Sequence, residues 1–320
     1  MIGKPKDNPT TRYRILPLMS SLIAEAHEVT FVESDLGFST KLKLLLQASK
    51  TDVIIIQRKL FSIPFFYLLH QCCTKIIFDF DDAIYLRSNG QTSIQRESRF
   101  NFMIRRTWQV WAGNENLCKQ SSRAGSKITH HVPTVIQLTN YPVEETNRQS
   151  AHLIWIGSKS TQRYLVEAVP MLEQLGKNYP ELQLTIVCDF QFQVEHLRVN
   201  CIAWTKDNER QALQKASIGI APMTDDPWTR GKCALKVLQY MAMALPVVTS
   251  KVGANTDVIE EGETGFACET IDEWNTAIGS LLEDADLSHK LGEAGRDRVE
   301  QFYQSEKWVT QQVLWLTEKS

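Results

Sequence analysis

Two lysines and a glutamine recur at helical spacing in the segment PWTRGKCALKVLQYMAMA. Lys232, Lys236 and Gln239 fall at i, i+4 and i+7 on one polar stripe of a predicted helix over 231–243. Gly231 stands where this helix would begin, and a helix N-terminus presents N–H groups to an anion. The lysines would add positive charge, so the segment is a candidate diphosphate site. The lysine pattern by itself favours the alternative, an amphipathic surface helix with solvated lysines.

A second candidate phosphate site lies in the segment IWIGSKSTQRYL. A predicted strand ends at Gly157, and Ser158, Ser160 and Thr161 then open a helix. Serine and threonine are good helix N-caps, and the N–H groups of such a helix start could hold a diphosphate. A plain capped helix explains the same residues.

An acidic cluster, Asp79, Asp81 and Asp82, ends an apolar strand in the segment DFDDAIYL. Carboxylates at the carboxyl end of a strand are candidates for acid–base chemistry or for contact with a substrate hydroxyl. Aspartate-rich turns also cap helices. No histidine or further carboxylate is placed beside the cluster, so we favour acceptor or sugar contact over a metal site.

Short apolar runs rich in β-branched residues predict the elements that position these groups. They are separated by longer polar or amphipathic segments, as parallel strands buried on both faces are. The runs are 29–32, 52–57, 75–80, 109–113, 153–157, 182–188, 217–222 and 245–250. This alternation predicts an α/β fold of two Rossmann-like halves, joined by the polar linker 141–151. Ligands of such sheets bind beyond the carboxyl ends of the strands, so we expect function in a cleft there.

Composition excludes several classes of protein. The chain has 320 residues, 43% of them hydrophobic, and a net charge of -2, which argues against disorder. No stretch approaches the roughly 18 apolar residues that span a bilayer, and the N-terminus lacks the apolar core of a signal peptide. Seven cysteines without CxxC spacing predict reduced thiols and a cytoplasmic location.

The charge is divided unevenly along the chain. Residues 1–150 hold 19 basic and 13 acidic residues, a net +6, whereas 151–320 hold 16 and 24, a net -8. A basic N-terminal half favours an acidic partner such as lipid phosphate, an anionic membrane surface or nucleic acid. Its arginines, including Arg96, Arg99, Arg105 and Arg106, indicate a lipid-linked or membrane-surface acceptor. Scattered solvated charges are the alternative.

The string LQYMAMALPVVTSKVGANTDVIEEGETGF, residues 238–266, resembles the C-terminal domain of family 4 glycosyltransferases, which have the GT-B architecture. The resemblance is strongest over 217–303. The two glutamates of that family, eight positions apart, fall on Gly231 and Gln239, and the chain looks like a branch with GKCxxKxLQYMA in their place. Glutamine can hydrogen-bond a ribose hydroxyl but cannot supply negative charge.

The resemblance implies a domain plan. Residues 1–145 would form a Rossmann-like acceptor domain. Its first strand is expected to be missing, since the sequence starts at the loop GKPKDNPTTRYR. Arg12 and Arg14 in this loop could bind an acidic acceptor. Residues 151–303 would form the nucleotide-sugar domain, facing the first across a cleft. A terminal helix in 304–320 would cross back to the N-terminal domain.

The activity that the resemblance implies is a retaining, metal-independent transfer of a sugar from a UDP- or GDP-linked donor to an acceptor hydroxyl. The acceptor would be a saccharide or a lipid-linked molecule of polysaccharide or glycolipid biosynthesis. We expect no cofactor, no nucleic acid and a cytoplasmic protein in peripheral contact with the inner membrane face. We assign catalysis to Asp81, Asp82 and Lys236, and donor binding to Gly157, Ser158, Thr161, Gly231, Lys232, Lys236 and Gln239.

Two other functions compete with this interpretation. One is a different enzyme on the same fold, a nucleotide-sugar epimerase or a phosphorylase, although no sequence context of a pyridoxal-phosphate lysine is seen. The other is a non-catalytic nucleotide or sugar binder that has lost both glutamates and the first strand.

Overall fold

A computed structural model describes residues 1–143 and 148–317. Part of the predicted linker 141–151 and the end of the predicted terminal segment 304–320 therefore lie outside the described residues. The chain divides into two compact units. The N-terminal unit comprises Met1–Val135, Asp226–Cys233 and the chain from Ser305 on, and the C-terminal unit comprises Ile136–Asp225 and Ala234–Gln304.

The strands of the described residues are β1 Ile2–Gly3, β2 Val32–Glu33, β3 Ile54–Gln57, β4 Ile76–Phe80, β5 Gln109–Ala112, β6 Thr129–His131, β7 His152–Ile156, β8 Gln183–Cys188, β9 Arg198–Ala203, β10 Ile218–Ala221, β11 Val247–Ser250 and β12 Phe266–Cys268. The α-helices are α1 Leu16–Ala24, α2 Phe38–Ala48, α3 Ile63–Cys72, α4 Ile94–Ile104, α5 Glu115–Ala124, α6 Gln162–Glu167, α7 Val169–Asn178, α8 Lys206–Lys215, α9 Leu235–Ala242, α10 Ala254–Val258, α11 Ile271–Glu283, α12 Ala285–Arg298 and α13 Ser305–Thr317. Within these ranges, no helix is both long and apolar enough to cross a membrane.

Each unit is built on a six-stranded sheet whose paired strands run parallel. The order is β2-β1-β3-β4-β5-β6 in the N-terminal unit and β12-β11-β10-β7-β8-β9 in the C-terminal unit. Helices lie between most of the successive strands of each sheet, as is usual for parallel pairing, whereas a loop joins β8 to β9. The predicted α/β fold with two Rossmann-like halves is confirmed.

Side chains of the N-terminal sheet alternate between two apolar layers, as the pleat of a strand dictates. Ile56 and Phe78 pack into the layer formed with α2, α3, α4 and α5. Ile55, Ile77 and Trp111 pack into the opposite layer, with α1 and with Val309 of α13. The C-terminal helix therefore completes the core of the N-terminal unit, as predicted.

One expectation about the first strand is wrong. Ile2 and Gly3 form β1, which pairs with both β2 and β3 in the middle of the sheet. A two-residue strand is too short to show any periodicity, so the sequence pattern could not reveal it. The edge strands β6, β9 and β12 were also not predicted, because they are short or carry many polar residues.

The packing of α13 leads to a first prediction. Val309 is 7% exposed and Leu314, on the same helix, is 52% exposed. We expect Val309→Ala to lower the free energy of unfolding of the N-terminal unit by about 2 kcal/mol, because a buried apolar side chain is lost. Leu314→Ala should change it little. Urea unfolding followed by tryptophan fluorescence measures both, and equal effects of the two variants would contradict this packing.

Candidate functional site

In the C-terminal unit, hydrogen bonds between Ser158 and Thr161 close the turn that follows β7. The Thr161 N–H donates to the Ser158 carbonyl at 2.8 Å, and the Ser158 N–H donates to Thr161 Oγ1 at 3.1 Å. The Lys159 N–H donates to Asp189 Oδ1, after β8, at 2.6 Å. These N–H groups are therefore bonded within the C-terminal unit and hold the turn in shape. A diphosphate contact of Ser158 and Thr161 stays a prediction.

Trp155 brings two of the predicted donor residues together. Its ring is fully buried, and a Cβ at Gly157 would lie 2.1 Å from it, so only glycine fits there. The Lys236 ammonium lies 4.0 Å from the centre of the same ring, within the range of a cation–π interaction. Gly157 at the end of β7 and Lys236 in the first turn of α9 therefore share one aromatic support.

The predicted helix over 231–243 is wrong in its first turn. Thr229–Gly231 form a 3-10 turn, and α9 begins only at Leu235, after Ala234 in the left-handed region with φ 54°. Gly231 is therefore not at the helix N-terminus. Lys232 belongs to the N-terminal unit and Lys236 to the C-terminal unit, so they do not share a helical stripe.

Gln239 lies in a buried polar cluster rather than on the predicted polar stripe. It is 3% exposed, and its Nε2 donates to Glu209 Oε1 at 2.9 Å and to the Tyr141 hydroxyl at 3.1 Å. Glu209, on α8, also accepts a hydrogen bond of 2.6 Å from Trp204 Nε1. A carboxylate therefore stands beside position 239, but another part of the chain supplies it.

In the N-terminal unit, a buried ion pair anchors the acidic cluster. Asp79 at the end of β4 accepts two hydrogen bonds of 3.1 Å from Arg14 Nε, and Arg14 Nη1 donates to the Val132 carbonyl at 2.7 Å. Burial alone would lower the pKa of Arg14, but Asp79 more than reverses this and raises it above its ordinary value. Arg14 is thus a structural group of the unit and not a surface ligand for an acidic acceptor.

The other two carboxylates share the cation Arg58. It follows β3 in the left-handed region with φ 51°, an uncommon conformation for a residue other than glycine. Arg58 Nη2 pairs with Asp82, and Arg58 Nε lies 3.4 Å from Asp81 Oδ1. Asp82 also lies 3.4 Å from Lys232 Nζ. Asp81 Oδ1 is buried and accepts no hydrogen bond from the described residues. Burial raises the pKa of Asp81, and Arg58 only partly offsets this.

The segment Asp226–Cys233, which we call the strap, is fixed on the same edge of the N-terminal sheet. Asn114, the N-cap of α5, donates to the carbonyls of Arg230 at 3.1 Å and Lys232 at 2.8 Å. A Cβ at Gly231 would lie 2.7 Å from the backbone of Ala83, so the close approach requires glycine. The strap thereby brings Gly231 and Lys232 to Asp81 and Asp82.

The predicted site residues therefore form three groups. Asp81, Asp82, Gly231 and Lys232 lie together in the N-terminal unit, Gly157 and Lys236 meet at Trp155 with Ser158 and Thr161 in the adjoining turn, and Gln239 is buried beside Glu209. Sequence reasoning missed Arg58, Trp155 and Glu209. Arg58 had a usable signal, since it follows a predicted strand as the aspartates do.

One group of side chains in the described residues has the spacing of metal ligands. Glu173, Glu195 and His196 have ligand atoms within 4.8 Å of one another. Glu173, however, already accepts hydrogen bonds from the N–H groups of Glu195 and His196 and contacts His196 Nδ1 at 2.6 Å. These contacts account for the cluster without an ion.

Comparison with known proteins relates part of the chain to a family. Residues 150–284 match the family described as glycosyl transferases group 1. A 79-residue segment is 37% identical to N-acetyl-alpha-D-glucosaminyl L-malate synthase of Bacillus anthracis, covering 24% of this chain and 21% of that protein. The chain thus matches only about a fifth of the length of this curated relative.

Two solved structures share the fold at low sequence identity. Sucrose-phosphate synthase from Thermosynechococcus elongatus has a TM-score of 0.68 at 16% identity, covering 91% of this chain and 81% of that one. Anabaena Alr3699/HepE, solved with UDP and glucose, has a TM-score of 0.71 at 13% identity, covering 94% and 89%. The GT-B fold that the sequence resemblance implied is confirmed.

The ion pair of Arg14 and Asp79 leads to a second prediction. Asp79→Asn should lower the free energy of unfolding of the N-terminal unit by about 3–5 kcal/mol, because it leaves a buried guanidinium without its counter-charge. The double variant Arg14→Met with Asp79→Leu should recover most of that loss, because it removes both charges. Urea unfolding measures both, and a double variant as unstable as the single one would contradict the assignment.

The raised pKa of Asp81 leads to a third prediction. The folded protein holds this proton more tightly than the unfolded chain, whose ordinary pKa is 3.8. The stability of the natural chain relative to Asp81→Asn should therefore fall as pH rises from about 4 through the folded pKa, by about 1.4 kcal/mol for each unit of elevation. Unfolding of both proteins along a pH series measures this. A difference that rises with pH would contradict the burial of this carboxyl.

Proposed function

We propose, from the match of residues 150–284 to the glycosyl transferases group 1 family, that this chain is a glycosyltransferase. It transfers a sugar from a nucleotide-sugar donor to an acceptor hydroxyl. The C-terminal unit binds the donor at the carboxyl edge of its sheet, and the N-terminal unit recognises the acceptor. The fold and the family match support the reaction class, and the residue roles below rest on the geometry of each unit.

The observation that carries the donor assignment is the meeting of Gly157 and Lys236 on the Trp155 ring. The end of β7 and the beginning of α9 lie at the edge of the parallel sheet where ligands of this architecture bind. The Trp155 ring fills the space that a side chain at position 157 would need, and Lys236 is partly exposed in the first turn of the helix. Both residues lie within the segment that matches the family.

In the transfer reaction, this site would stabilise the leaving diphosphate. The bond between the anomeric carbon and the diphosphate oxygen breaks, and negative charge develops on that oxygen as the acceptor oxygen bonds to the sugar. The Lys236 ammonium and the N–H groups at the start of α9 would neutralise that charge. We propose that they do so without a metal ion and that the sugar keeps its anomeric configuration, as the sequence resemblance implies.

On the acceptor side, we assign the proton of the acceptor hydroxyl to Asp81. Asp82 is held by both Arg58 and Lys232, whereas Oδ1 of Asp81 accepts no hydrogen bond from the described residues. A carboxylate with a raised pKa is a better proton acceptor near neutral pH. Lys232 acts here as a positioning residue for Asp82, and its predicted contact with the donor stays a prediction.

The donor is expected to be a UDP- or GDP-linked sugar, and Anabaena Alr3699/HepE was solved with UDP and glucose. The acceptor is proposed to be a saccharide or a lipid-linked molecule of polysaccharide or glycolipid biosynthesis. The ribose contact of Gln239 and the phosphate contacts of Ser158 and Thr161 stay predictions.

The fourth prediction tests the donor site. Lys236→Ala should weaken donor binding by about 10- to 100-fold, the loss expected for a hydrogen bond between charged groups, while the fold is kept. The matched control is Lys290→Ala, which removes an exposed lysine of α12 in the same unit. A thermal-shift screen against UDP, GDP, ADP and their sugar conjugates, followed by calorimetry, measures both variants. Unchanged affinity in Lys236→Ala would overturn the phosphate assignment.

Incubation of the protein with the donor found in that screen, followed by analysis of the products, separates the competing functions. A transferase should slowly hydrolyse its donor in the absence of acceptor, a pure binder should leave it intact, and an epimerase should return a donor with a different sugar. Asp81→Asn should keep donor affinity and lose transfer. No stabilisation by any nucleotide or nucleotide sugar would remove the basis of the proposal.

A further inference from the structure

Two neighbouring helices of the N-terminal unit carry an unusual share of exposed apolar side chains. α2 presents Phe38, Leu42 and Leu46 on one outer line, 87%, 56% and 65% exposed. α3 adds the half-exposed Tyr67 and Leu68. With Ile63, these are six of the fourteen large hydrophobic residues exposed in the described part of the chain. We call this surface the α2–α3 face.

The core of the unit does not need these side chains. The inner sides of the two helices are already buried, through Leu44 and Ala48 of α2 and Phe65, Phe66 and Leu69 of α3. Both helices therefore carry apolar side chains on the outside as well as on the inside. A surface helix of a globular protein normally turns polar residues outward, and contiguous exposed apolar patches commonly mark a binding surface.

The charges of the α2–α3 face have one sign. Neither helix contains aspartate or glutamate, and α2 carries Lys41 and Lys43. Asp35, which precedes α2, is paired with Lys59 Nζ at 2.8 Å. Apolar side chains flanked by lysines are typical of segments that lie in the interface of an anionic membrane.

We infer that the α2–α3 face docks this protein on an anionic lipid surface. Phe38, Leu42 and Leu46 enter the boundary between headgroups and acyl chains, and Lys41 and Lys43 meet the lipid phosphates. A second copy of the chain fits less well, because a two-fold contact would bring lysines of both copies together without acidic partners from these helices. This inference does not depend on donor binding.

This face differs from the surface that the sequence analysis connected with membranes. Arg96 Nη1 donates to the Leu86 carbonyl at 3.0 Å, and Arg105 Nε donates to the Ala124 carbonyl at 3.0 Å. Arg106 lies over the Phe102 ring at 3.8 Å. The hydrogen bonds of Arg96 and Arg105 within the N-terminal unit make these two arginines weaker candidates than the α2–α3 face.

Co-sedimentation of the full chain with vesicles tests the inference. We expect binding to vesicles of phosphatidylglycerol and phosphatidylcholine, little binding to phosphatidylcholine alone, and weaker binding at high salt because the lysine contacts are screened. The triple variant Phe38→Ser, Leu42→Ser, Leu46→Ser should lower the partition coefficient at least about tenfold. Lys41→Gln with Lys43→Gln should lower it about fivefold for each lysine.

The matched control is Ile23→Ser with Leu314→Ser, which removes two half-exposed apolar side chains of the same unit outside the α2–α3 face. It should bind vesicles like the natural chain. All substituted side chains are at least partly exposed, and circular dichroism checks that each variant is folded.

Four results would overturn the inference. They are absence of binding to anionic vesicles by the natural chain, equal binding by the triple variant and the control, and loss of binding only when Arg99 and Arg106 are changed to Gln. The fourth is a lipid-free dimer, seen by sedimentation velocity, that the triple variant dissociates, which would assign the face to a second copy.

Discussion

The buried ion pair of Arg14 and Asp79 is the constraint on which the carboxyl edge of the N-terminal sheet depends. A guanidinium and a carboxylate inside a protein are tolerated only when each compensates the other's lost hydration. The pair joins the turn before α1 to the end of β4, and Arg14 also reaches the Val132 carbonyl beyond β6. Because Asp79 is fixed in this way, the next turn of the chain has a defined course and presents Asp81 and Asp82 at the sheet edge.

In the C-terminal unit, an aromatic ring has the corresponding role. Trp155 is fully buried in β7, and its ring leaves no space for a side chain at position 157. The ring excludes a side chain at position 157 but attracts that of Lys236, because the ammonium is stabilised by a cation–π contact with the ring face. One side chain thus requires glycine at position 157 and also contacts the positive charge at the start of α9.

The sequence predicted the elements well where the pattern is local. Runs such as 52–57 and 75–80 became β3 and β4, because strands buried on both faces must be apolar throughout. It could not predict where α9 begins. The helical periodicity of 231–243 is real in the sequence, but hydrogen bonds from Asn114, more than a hundred residues earlier, hold the strap on the N-terminal unit. Contacts over such separations override a local pattern, and they produce no periodicity in the sequence from which they could be predicted.

Other contacts between distant parts of the chain disfavour glutamate at the two positions where the family that the chain resembles carries it. At position 231 any side chain would collide with Ala83, so the packing of the strap excludes glutamate. At position 239 the carboxylate of Glu209 is only 2.9 Å from the Gln239 amide nitrogen. A second carboxylate there would set two buried negative charges against each other, whereas glutamine donates a hydrogen bond to the first. Gly231 and Gln239 therefore each make contacts that a glutamate at the same position would disrupt.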